Sequence, residues 1–177
     1  MIIRLPIVAL CILGMGTALG ARAQTVRLRI EGSDFRDGVP ERISFVFVNL
    51  SDRSVRIPPL SPCNNRYSGH LTLMLKFSPV QPQTSGSGGG CGGGLYDGPS
   101  ILEQALTWNV VPPHTSFTVT YRRTELFDNQ QASGTYEFFG KYDPPLLTAD
   151  EVLMLEKAGI NFSREALTSE QLRYARP

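Results

Sequence analysis

Reactive side chains are scarce in this chain, which carries two histidines, three cysteines, three lysines and one tryptophan. With His70 and His114 as the only imidazoles, there is little from which to build a general base. No H-E-x-x-H, G-x-S-x-G or Gly-Lys-Ser/Thr phosphate loop occurs. Gly88, Gly90 and Gly93 match G-x-G-x-x-G, but inside a polyglycine run, with no strand leading in and no helix following, the match is nearly automatic. Charge of either sign is also lacking in excess, the formal net charge being +1. A nucleic-acid binder or a polybasic membrane-surface protein needs clustered positive charge, so neither is expected. No catalytic residue, cofactor or metal set is expected either.

What is present begins with a leader. Arg4 is a short positive region, residues 7–13 are apolar, and Ala21-Arg22-Ala23 is a small-x-small cleavage site before Gln24. Glycines 14, 16 and 20 with Thr17 break the apolar run too early for a comfortable bilayer span. Leu10 before Cys11 is not the small residue a lipid-attachment site wants. Residues 1–23 therefore read as a signal peptide, and the rest as periplasmic or secreted, with no integral membrane segment after cleavage. Fourteen arginines against three lysines fit a GC-rich Gram-negative source. Cleavage also removes Arg4 and Arg22, leaving fifteen basic against sixteen acidic residues in a length suited to one domain.

Two cysteines stay in the mature part, Cys63 and Cys91, 28 residues apart, and in an oxidising compartment an even pair reads first as a disulfide. On a chain-entropy account the link stabilises by about 3 to 4 kcal/mol. The alternative is zinc held with His70 and His114, against which stands the absence of any close pair such as C-x2-C. Asp34, Asp37 and Glu41 lie near one another without EF-hand spacing and read as ordinary acidic turns.

Strand signals dominate. Val26, Leu28 and Ile30 alternate with Arg27, Arg29 and Glu31, and residues 32–40 are turn-rich enough to end that strand. Residues 43–50 are dense in β-branched and aromatic side chains, as in a central strand covered on both faces. Residues 55–57 are expected to pair back before Pro58-Pro59. Residues 71–77 place Leu71, Leu73, Leu75 and Phe77 on one face, residues 108–111 form a short strand, Phe117, Val119 and Tyr121 alternate, and Tyr136, Phe138 and Tyr142 share a face. No helical periodicity is expected before residue 148. The fold class read from this pattern is all-β, an antiparallel β-sandwich spanning residues 24–145. Its core is expected from Phe45, Phe47, Leu73, Leu75, Trp108, Phe117, Val119, Tyr136 and Phe138.

The strand, Asn-turn and strand of residues 45–55 resembles bacterial immunoglobulin-like modules, including the bacterial intracellular proteinase inhibitor domain. So does the later series Val111-Pro112-Pro113, Phe117-Thr118-Val119, Leu126-Phe127-Asp128 and Gly134-Thr135-Tyr136. The same pattern is similar to the β-sandwich preceding some deuterolysin-like metallopeptidases. The resemblance covers residues 25–143 and implies an immunoglobulin-like sandwich. Its motifs are turns and core positions, so no inhibitory residue is carried over. Pro113-His114 replaces the usual glycine, and the insert at residues 78–100 has no counterpart in the pattern.

That insert holds seven glycines between Gly86 and Gly94 around Cys91 and cannot bury a core. It reads either as a tolerated insertion or as a display loop stapled by the disulfide. Residues 146–177 read as a helical tail. Thr148 and Glu151 form a capping box, Val152, Leu153 and Leu155 follow at helical spacing, Gly159 stops the helix, and a second weaker helix runs to Tyr174. Such a tail docks on the sandwich or engages a partner. The expectation is thus an exported, non-catalytic protein-binding module, a protease inhibitor or envelope accessory protein, with a protein partner in the cell envelope. Its candidate binding surface comprises Gly88, Gly90, Leu95 and Tyr96 in the insert and Leu153 and Phe162 in the tail. A hydrolase or accessory domain of a secreted peptidase, and a structural envelope component, are the alternatives.

Overall fold

A computed structural model describes residues 25–61, 67–78, 83–85, 98–123 and 134–176. The elements are β1 (Val26–Arg36), β2 (Val39–Asn49), β3 (Val55–Ile57), β4 (Leu60–Ser61), β5 (Gly69–Ser78), β6 (Gln83–Ser85), α1 (Ile101–Thr107), β7 (Asn109–Val111), β8 (Ser116–Arg122), β9 (Gly134–Asp143), α2 (Ala149–Lys157), β10 (Leu167–Thr168) and β11 (Leu172–Arg176). The chain is mostly β, with antiparallel sheets and two short helices among the described residues; of these strands only β4 and β5 pair in parallel.

One sheet has the order β1-β2-β8. Leu28 pairs with Phe47 and Phe47 with Phe117, while Ile30 pairs with Phe45 and Phe45 with Val119, so the alternating apolar residues of three strands share one face. The second sheet runs through β9 and β5, whose register sets Leu73 against Gly140 and Leu75 against Phe138. The two faces bury one core that contains Leu28, Phe45, Phe47, Leu73, Leu75, Tyr136, Phe138 and Tyr142. Phe47 meets the Tyr142 ring edge-on at 5.2 Å between centroids. A Cβ on Gly140 would come within 2.6 Å of Phe45 Cε1, so only glycine lets that ring lie against β9.

Several sequence expectations need correction. β1 does not end at Gly32 but continues to Arg36, because the turn is made by Asp37 and Gly38 with φ of 50° and 78°, the two positive values a tight hairpin needs. β2 is central, yet among the described residues it is covered on one face only: outward Ser44 and Val48 stay half-exposed, and Val46 lies between its pairing partners Arg29 and Thr118. β3 does not pair back on β2. It pairs with β7, and Asn49 makes that departure possible by bonding through Nδ2 to the carbonyls of Arg53, Val111 and Pro112 at 2.8, 3.0 and 3.0 Å. Phe117 and Val119 are half-buried, as befits a sheet edge.

A helix does precede residue 148. Ser100 caps α1, its Oγ accepting from Glu103 N while the Glu103 carboxylate accepts from Ser100 N at 2.8 Å. Ile101 and Ala105 turn its inner face onto α2, and Trp108 belongs to this second cluster with Leu155 and Phe162, not to the core between the sheets. The tail is not helical throughout either. Residues 167–176 form β10 and β11, both antiparallel to the outer edge of β9. Between them Ser169 N donates to Gly140 O at 2.9 Å and Ser169 Oγ accepts from Gly140 N at 2.8 Å, bridging a bulge of three residues opposite two.

Candidate functional site

α2 joins the two-helix end to the sheets. Its N-terminus is held by a capping box whose Glu151 is buried and accepts from Thr148 N at 2.8 Å and from the Tyr67 hydroxyl at 2.8 Å. Its C-terminus stops at Gly159 with φ of 69°, and Ile160 N bonds back to Leu155 O at 2.9 Å. The chain then runs beside β3: Arg56 N donates to Asn161 O at 2.8 Å and Ser163 N to Arg56 O at 3.2 Å. That short parallel bridge drops Phe162 into the helical cluster, edge-on to Trp108 at 5.6 Å. Phe162, expected on a binding surface, is 5% exposed and is a core residue. Leu153 is exposed as expected. Gly88, Gly90, Leu95, Tyr96, Cys63 and Cys91 lie outside the described residues.

An open groove of about 470 Å³ lies where α1, the β3–β7 ribbon and the end of α2 meet. Val55, Ile57 and Val111 point from the ribbon into the main core, so Arg56 and Val110, paired across it, present the opposite face to the groove. Leu102 and Leu106, one helical turn apart on α1, form a wall. Leu106 is 66% exposed and Val110 52%, and Leu102 is also exposed. Apolar side chains this open, gathered around one depression, are the kind of surface that marks an interaction site. Sequence reasoning missed them; the Ser100–Glu103 box was the available signal, but seven residues with two buried positions give too little periodicity to orient a helix.

Arg56 is the charged residue of the groove. Its Nη1 donates to Leu106 O at 3.1 Å and to Trp108 O at 3.3 Å, which fixes the guanidinium against the end of α1. A neighbouring depression of about 460 Å³ is more polar, lined by Asp52, Arg53, Glu156 and Arg164 among others. There Arg164 pairs with Glu156 at 2.7 Å, and His114 Nε2 meets Asp52 at 2.9 Å at the exposed turn after β7.

Perturbed titrating groups have structural causes. The Ser100 hydroxyl and backbone N–H hold the Glu103 carboxyl below its usual range. Burial pushes the Tyr142 phenol up. Burial also raises Tyr174, against the lowering effect of the Gly32 backbone hydrogen bond. None of the three lines the groove. Among the described residues no group of three or more His, Cys, Asp or Glu side chains is placed to hold a metal. Asp34 instead pairs with Arg42 at 2.9 Å and Glu41 with Arg123 at 3.5 Å, so these acidic turns are braced by arginines. No described helix is long and apolar enough to cross a membrane. Comparison with protein-family models and with curated proteins gave no match to the chain.

Proposed function

We propose that the mature chain is an exported, non-catalytic protein-binding module on an immunoglobulin-like sandwich, whose recognition surface is the groove between α1 and β7. The fold part of this reading is supported by strand order. β1-β2-β8 facing β5-β9-β11 follows the A-B-E and C-F-G order of immunoglobulin-like domains. The functional part rests on one observation, the exposure of Leu102, Leu106 and Val110 around a single depression. Apolar walls with one fixed cation suit the docking of a polypeptide better than bond-breaking, which calls for convergent titrating groups. Affinity capture from an envelope extract tests it: Leu106→Asp loses the proteins that the wild type retains, with far-UV circular dichroism unchanged. Retention of the same proteins by Leu106→Asp, or turnover of peptides by the wild type, refutes it.

A further inference from the structure

The backbone of the ribbon narrows the kind of partner. Arg56 uses its own N–H and C=O on Asn161 and Ser163, away from β7. In an antiparallel pair, opposed residues alternate between exchanging both backbone bonds and exchanging none. The Arg56–Val110 pair is therefore the non-bonded one, and the Val110 N–H and C=O point outward from the ribbon. The ribbon has two strands, so among the described residues this edge is unpaired. It offers one donor and one acceptor, at a single residue, beside a groove with apolar walls. Edges of this kind accept an added extended segment.

Charge adds the second constraint. Among the described residues lining the groove Arg56 is the only charged one, with no carboxylate among them to match it. Its Nη1 is spent on two carbonyls, while its Nε and Nη2 donate to no acceptor among the described residues. A guanidinium already immobilised loses little further freedom on meeting an anion. A through-running strand would find only one residue to pair with, whereas a chain that stops there needs no more.

Resting on the binding-module reading above, we propose that the groove takes the free C-terminus of a partner polypeptide. The extended end pairs with Val110, its last apolar side chain packs on Leu102 and Leu106, and its terminal carboxylate meets Arg56.

Short synthetic peptides ending in Val, Leu or Phe, each as free acid and as amide, test this by titration of the mature protein. Fluorescence of the single tryptophan, Trp108, whose carbonyl accepts from Arg56, is the readout. Free acids are expected to bind at least about tenfold more tightly than amides, as one charge-assisted contact implies. Arg56→Gln erases that difference, and Val110→Pro, which removes the outward N–H and replaces an exposed side chain of the groove, weakens both forms. Equal binding of acids and amides by the wild type overturns the proposal even if Arg56→Gln fails to fold. So does an acid preference that survives a folded Arg56→Gln. If Leu106→Asp loses envelope capture while acids and amides bind alike, the module reading stands and the C-terminal assignment falls. If Leu106→Asp keeps capture, the module reading itself falls.

Discussion

Phe162 and Leu153 lie nine residues apart in the same tail, and the structure gives them opposite weights. Phe162 is 5% exposed and stands edge-on to Trp108, within a cluster that includes Ile101, Ala105 and Leu155; Leu153 is 46% exposed on the outer side of α2. Truncating a buried phenylalanine costs about 3 to 5 kcal/mol, and the lost edge-to-face pair falls within that sum. With a urea dependence of about 2 kcal/mol per molar, Phe162→Ala lowers the unfolding midpoint by about 1.5 to 2.5 M. Leu153→Ala changes stability by less than about 0.5 kcal/mol. Urea titrations followed by Trp108 fluorescence and by far-UV circular dichroism measure both. The second probe is needed because the mutation alters the environment of the first. Equal midpoints for Phe162→Ala and the wild type would refute the docking of the tail through this cluster.

Four further outcomes are expected. The Tyr142 hydroxyl is buried and finds no hydrogen-bond partner among the described residues, so Tyr142→Phe raises the urea midpoint; unchanged or lowered stability contradicts that. Burial also raises its folded pKa above the unfolded value near 10, so its neutral form is needed for the fold. Stability is then full below about pH 10 and falls by about 1.4 kcal/mol per unit above it, a loss that alkaline unfolding of Tyr142→Phe lacks. Truncation after Pro145 removes Leu155, Phe162, Leu167 and the two strands that pair with the outer edge of β9, so the shortened chain fails to fold cooperatively by calorimetry; a cooperative transition like that of the full chain contradicts this. Cys63 and Cys91 are joined in protein taken from an oxidising compartment, and intact mass with and without reduction before alkylation decides between one disulfide and two thiols.

Strands whose two faces differ were legible. β1, β5 and β9 alternate because one side of each meets the opposite sheet, and period two survives in the letters. β2 was found from composition, but its apolar outer residues Val46 and Val48 suggested a second covering layer; among the described residues Val46 is shielded across strands and Val48 stays half-exposed. β11 was mistaken for helix because leucine, arginine and alanine favour helix intrinsically. The vacant edge of β9 overrode that preference, and Leu172 and Tyr174 turn inward at alternate positions. Of the site, the sequence yielded Leu153 as a surface residue but not the groove. Arg56 lies far in sequence from the stretch that carries Leu102, Leu106 and Val110, and it is the β3–β7 pairing that brings the two together.

The placement of β10 and β11 bears on the order in which the molecule can be made. β9 receives one neighbour, β5, from residues already delivered, but its other neighbour consists of residues 167–176, and those also supply Tyr174, whose ring rests on Phe35 at 5.0 Å. A chain emerging from its N-terminal end therefore carries an open, apolar sheet margin until these residues arrive. Native closure waits for residues 167–176, and anything that stalls the chain before residue 167 leaves a strand edge free to pair with a stranger.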